Sequence, residues 1–180
     1  MNLQEQGRGQ EGISVAQSKG ILERGFESAV WTIRKFANDE EAKRDNPYEV
    51  VSFKDNILLN SGINELWTIL CSTGGTRFDN ANAQLGVGDS AVAEVATQTD
   101  LQAATNRAFV GMMAGFPSFG TNQRGTWRAS FGGAVANYAW NEFVVRNGAT
   151  ALRCLNRRVS AQGTKVVNQV WELSLEISLS

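Results

Sequence analysis

Two hydrophobic periods divide the chain. In its first part Leu22, Phe26, Ala29, Ile33 and Phe36 recur at the 4-3-4-3 spacing of one helical face. Val30 and Ala37 lie beside that face, and Glu23, Arg24, Glu27, Arg34 and Lys35 lie opposite it. The spacing predicts a helix over 18–37, capped by Ser18 and ending at Asn38. The charged run Asp39–Asp45 reads as a solvated surface segment, and Pro47 holds Asn46 in an extended or turn conformation. Residues 48–55, YEVVSFKD, read as a short strand. In NILLNSGINELWTILC, Leu59, Ile63, Leu66 and Leu70 return to helical spacing, with Trp67 on an adjacent row. A second helix therefore runs to about Cys71, with Ser61 as its candidate cap, and Ser72–Gly75 break it.

Beyond that break the period falls to two. A strand is predicted over 107–113 around Phe109 and Val110, followed by a loop punctuated by Gly111, Gly115, Pro117 and Gly120. In TWRASF (126–131), Trp127, Ala129 and Phe131 alternate with polar residues, the pattern of a half-buried strand. Residues 138–146 read as a further strand. Asn147-Gly148 is a hairpin signal, because both residues tolerate positive φ, and it leads into ALRCLN at 151–156. The longest alternation is the last. Val167, Gln169, Trp171, Leu173, Leu175, Ile177 and Leu179 share one parity, against Asn168, Glu172, Ser174, Glu176 and Ser178. The expected fold is α+β and β-dominant: an antiparallel β-sandwich, jelly-roll or Ig-like, preceded by an N-terminal arm and two helices. Residues 1–17, rich in Gln, Gly and Glu, are read as the arm. Residues 1–55 form an arm-and-helix contact element, and residues 56–180 a helix plus sandwich module. The first helix could zip to partner copies through Leu22, Phe26, Ile33 and Phe36, or pack on the chain's own sheet.

Composition narrows the chemistry. The 180 residues include no histidine. This removes His-based acid–base work, Ser-His-Asp and Cys-His nucleophiles, and most zinc or copper sites. Carboxylate, Lys or Tyr chemistry remains, but no constellation for it stands out, so no enzyme, catalytic residue, cofactor or metal is expected. A net charge of -1 argues against a basic surface for nucleic acid, although Arg153, Arg157 and Arg158 cluster locally. The polar N-terminus has no apolar core of a secretory signal, and no run approaches the roughly 18–20 apolar residues of a membrane span. Synthesis in a cytosol and no membrane partner are expected. The two cysteines, Cys71 and Cys154, read as buried free thiols, with a disulfide left open.

Four constellations bear on function. The Gly86–Ser90 stretch, GVGDS, lacks the spacing and the GK[ST] ending of a phosphate loop and reads as a tight turn in which Asp89 bonds its own backbone. Asp79, Asn80, Asn82 and Asp89 offer oxygens to calcium but without EF-hand spacing. Glu142 and Glu172 would need a common cleft to act as an acid pair, and Glu172 and Glu176 read as solvated. Trp127, Trp140 and Trp171 read as core or interface anchors, with sugar stacking as the minority alternative.

Several ordered segments carry a resemblance. NILLNSGINELWTILC, NANAQLGVGDS, ATQTDLQAA, TWRASF, ANYAWNEF, NGATALRCLNR and WELSLEISLS, spread over Asn56–Ser180, resemble small tailed-bacteriophage virion structural proteins. The resemblance implies a virion location and a non-catalytic role, foremost a capsid decoration (cement) protein on the head. A tail, collar, baseplate or fibre-adaptor component is the alternative, and a carbohydrate-binding module lies further off. It implies self-association, with a trimer as one form, and the major capsid protein or other virion proteins as partners.

Overall fold

The computed structural model describes residues 28–148 and 153–179. The arm at 1–17, and Leu22 and Phe26 of the expected helical face, lie outside the described residues. In chain order the elements are β1 (Ser28–Phe36), α1 (Asp39–Lys43), β2 (Glu49–Lys54), β3 (Ile57–Leu58), α2 (Asn60–Cys71), β4 (Ala83–Gly88), β5 (Arg107–Gly111), β6 (Ser118–Phe119), β7 (Arg124–Phe131), β8 (Glu142–Asn147), β9 (Arg153–Val159) and β10 (Val170–Ser178).

The expected helix over 18–37 is overturned where it is described, because Ser28–Phe36 is a strand. Ala29 and Ile33 are four apart, a spacing common to both periods. Trp31 breaks the tie: Ala29, Trp31 and Ile33 share one parity and are buried, while Val30, Thr32 and Arg34 lie on the other face. Aromatic and β-branched residues at 30–33 favour the strand further. The charged run folds as α1, whose first turn is capped by Asn38 Oδ1 accepting from Glu41 N at 3.0 Å. The expected cap of α2 is also corrected. The N-cap is Leu59, with no side-chain bond, and Ser61 Oγ instead donates to the Cys154 carbonyl at 3.4 Å.

The strands form two five-stranded sheets, in the orders β2-β1-β10-β7-β6 and β3-β9-β8-β4-β5. Every pairing is antiparallel. The chain crosses between sheets at 55–56, 112–117, 132–141 and 160–169. Trp31, Ile33, Phe131, Trp171, Leu173 and Leu175 of the first sheet share one core with Leu85, Val87, Phe143, Val145 and Leu155 of the second. This arrangement is consistent with a β-sandwich. Trp140, from the last crossing before β8, sits edge-on between Phe131 and Trp171 with ring centroids 4.8 Å from each.

Two parts of the expected organisation change. The helices do not precede the sheets, since β1 comes before both. A division at residue 55 also falls away: β1 and β2 pair in the same sheet as β10, so residues 28–54 are part of the sandwich. The physical reason is the last strand. Its backbone N–H and C=O groups need partners along both edges, and β1 and β7 supply them.

The outer face of the second sheet carries a smaller apolar cluster of Leu59, Leu101, Val144 and Cys154, to which the 89–106 segment contributes Leu101. α2 lies close on β9 because position 62 has no side chain. A Cβ there would stand 2.5 Å from the Cys154 carbonyl oxygen and overlap Leu155 Cα.

Candidate interaction surface

The residues weighed for chemistry are occupied by structure. Gly86 and Gly88 form strand β4 rather than a tight turn. A Cβ at Gly86 would meet the Phe109 ring at 2.5 Å, and one at Gly88 would collide with Glu142 Oε1. The glycines thus answer to close packing between strands. Asp89 Oδ2 accepts from Asn106 Nδ2 at 2.7 Å, not from its own backbone. Asp79 Oδ1 accepts from the backbone and side-chain nitrogens of Asn82, at 3.1 and 2.7 Å, and Asn80 Nδ2 donates to the carbonyls of Met113 and Phe116. Asp79 and Asp89 flank opposite ends of β4, roughly 20 Å apart at the rise of a strand. Among the described residues no group of three or more Cys, Asp or Glu is placed to hold a metal ion.

Glu142 and Glu172 do not share a cleft. Phe143 and Val145 point into the core, so Glu142 faces outward from the second sheet. Leu173 and Leu175 do likewise for β10, so Glu172 faces outward from the first. The two carboxylates therefore stand on opposite sides of the molecule. Glu172 is nearly buried rather than solvated, held by Arg128 and by Arg34 at 3.3 Å. Glu142 and Arg157 are both fully buried. Glu142 accepts from Arg157 Nε at 2.9 Å and Nη2 at 2.7 Å, and from the backbone N–H of Gln102 and Ala103 at 2.8 and 2.7 Å. Arg157 also donates to Gln98 Oε1 and the Val92 carbonyl, at 3.0 and 2.9 Å. This network pins the 89–106 segment, which has no helix or strand of its own, onto the second sheet. Arg158 lies 3.6 Å from Glu94, so Arg157 and Arg158 are each drawn into an ion pair.

Other ionisable groups have been bent by burial. Lys165 is fully buried and donates to the Gly132 carbonyl and Asn137 Oδ1, both at 2.8 Å; desolvation brings its pKa down to about 8. The Cys154 thiol is pushed up to about 12, first by burial and then by Asp100. Cys71 is exposed, which corrects the reading of both thiols as buried, and both are free.

The surface also exposes apolar groups. A groove of about 480 Å³ opens between the sheets, where Leu58, Leu66 and Leu155 face Trp127 and Ile177, with Phe119 and Leu179 at its edge. The Trp127 indole is fixed by Nε1 donating to the Phe78 carbonyl at 2.9 Å. Phe119 is 82% exposed. Leu70 follows Leu66 by one turn of α2 and is 73% exposed, and Trp67 beside it is 59% exposed. Trp140 and Trp171, by contrast, are sealed in the core and present no face to a sugar.

The expected contact residues fall differently. Ile33 and Phe36 are fully buried in the described chain. They stabilise the fold from within and offer nothing to a partner, because strand alternation turns Ile33 inward. Trp67, Leu70 and Phe119 were missed as a surface. Leu70 belongs to a helical row that reads as buried and Trp67 to the row beside it, yet both stand exposed. Neither a family model nor a curated protein nor a solved structure matches this chain.

Proposed function

We propose that the chain is a non-enzymatic structural module of a tailed-bacteriophage virion, foremost a decoration protein that binds and stabilises the capsid shell. The observation that carries the reading is exposed apolar bulk on a well-packed domain: Trp67 and Leu70 on α2, and Phe119 at the edge of the apolar groove. Exposed aromatic and aliphatic groups of this size mark contacts with other proteins. The absorption of Glu142, Glu172, Asp79 and Asp89 into internal bonds supports a role without catalysis. A jelly-roll or Ig-like sandwich belongs to the same proposal, supported by the two antiparallel sheets and the repeated crossings between them.

Partners on this reading are further copies of the chain, as a trimer or another closed ring, and the major capsid protein. The experiment is a copy-number measurement on purified particles by quantitative mass spectrometry. Hundreds of copies per particle support shell decoration. Six or twelve copies would instead assign the chain to the tail, collar, baseplate or fibre adaptor. Absence from particles overturns the virion reading, and hydrolysis of capsule or peptidoglycan by the purified protein overturns the non-enzymatic one.

A further inference from the structure

The groove between the sheets has apolar walls, and the place where residues 1–27 join the sandwich names its occupant. Ser28 opens β1 directly opposite Ser178 of β10, their hydroxyls 2.9 Å apart. The same end of β10 places Ile177 and Leu179 in the groove. On its other side Ser178 pairs with Arg124, so the groove's β7 wall begins two strands away from Ser28. Two strand spacings are about 10 Å and the gap between packed sheets is another ~10 Å, a diagonal of roughly 14 Å. The six residues 22–27 reach up to about 20 Å when extended. Within residues 1–27 the apolar side chains nearest Ser28 are Ile21, Leu22 and Phe26. Glu23, Arg24 and Glu27 between and beside them are charged. Residues 22–27 are thus long enough for this short apolar cluster to reach the groove.

We propose that Ile21, Leu22 and Phe26 seat in the groove of their own chain, against Leu66, Trp127 and Leu179. A tether of this length holds the segment at millimolar effective concentration, far above any concentration of a second copy, so the chain's own groove is filled first. Filling it covers the apolar walls and leaves Trp67 and Leu70, which are exposed and do not line the groove, for a partner. The inference does not depend on the virion reading.

The test is disulfide mapping in the full-length chain. Leu22→Cys is combined with Leu66→Cys in a Cys71→Ser background, and separately with Gln123→Cys, an exposed position on the opposite wall that leaves the core untouched. Equal parts of ¹⁴N- and ¹⁵N-labelled protein are oxidised and digested, and the linked peptides are weighed. The expected result is a link between peptides of one isotope only, at roughly tenfold the yield given by Gln4→Cys with the same partners. Equal yields from Leu22→Cys and Gln4→Cys overturn the proposal, and so do mixed-isotope links, which would assign the groove to a neighbouring copy. A second readout is amide exchange at Leu179, whose N–H donates to the Gln123 carbonyl at 3.0 Å beside the groove. Phe26→Asp should speed that exchange several-fold while the far-ultraviolet circular dichroism stays unchanged, and an unchanged rate counts against the proposal.

Discussion

Glu142 and Arg157 are charges with no contact to water, and their bonds decide whether they stabilise the fold. Together they make two links to each other and further links to Gln102, Ala103, Gln98 and Val92. Removing one partner strands the other in an apolar site. Arg157→Met should therefore cost about 3–5 kcal/mol in urea unfolding, and Glu142→Leu combined with Arg157→Met should cost less than the single change. A second residue-scale prediction concerns pH. Lys165 titrates near 8 in the fold against 10.5 for an ordinary lysine, so between these values the unfolded chain holds a proton that the folded chain has lost. Stability from this group must then rise with pH from about 8 to 10.5. Urea midpoints of the wild type at pH 8 and 10, each taken relative to Lys165→Met, should show that rise. Thiol labelling gives a third. Cys71 is exposed and Cys154 is buried with its thiol held protonated, so one thiol per native chain should react quickly with maleimide and the second only on unfolding.

At the scale of elements, α2 shows two effects in opposition. Replacing a helix-interior glycine by alanine ordinarily gains about 1 kcal/mol. At Gly62 the added methyl would press on the backbone of Cys154 and Leu155, which cannot move without disturbing β9. Overpacking of this kind costs about 1–3 kcal/mol, so Gly62→Ala should lower the urea midpoint rather than raise it. β1 teaches a related point about reading a pattern. Its residues 29 and 33 satisfy both periods, and only Trp31, with the polar parity of Thr32 and Arg34, separates strand from helix. β4 is hidden in the sequence for the opposite reason. Its two glycines look like a turn, and their need arises from the Phe109 ring and the Glu142 carboxylate, which come from distant parts of the chain. β2, β7, β10 and α2 were legible because one period dominates each of them.

For the whole molecule, the exposed apolar surface should matter to assembly and not to folding. Trp67→Glu together with Leu70→Glu should shift the unfolding free energy by no more than about 0.5 kcal/mol per site while weakening self-association or particle binding, read by light scattering and co-sedimentation. A large loss of stability would show that the two side chains pack within the fold. The sequence by itself determined that this chain is β-dominant, that its longest alternation is β10, and that it contains no histidine. Those properties follow from alternation and composition, which are local or additive. Tertiary structure alone decided that Ile33 points inward and Phe36 is covered, that Glu142 is paired and sealed, and that Trp67, Leu70 and Phe119 stand at the surface. Burial depends on which elements come to lie against each other, and the partners lie up to 150 residues apart, as Ser28 and Ser178 do.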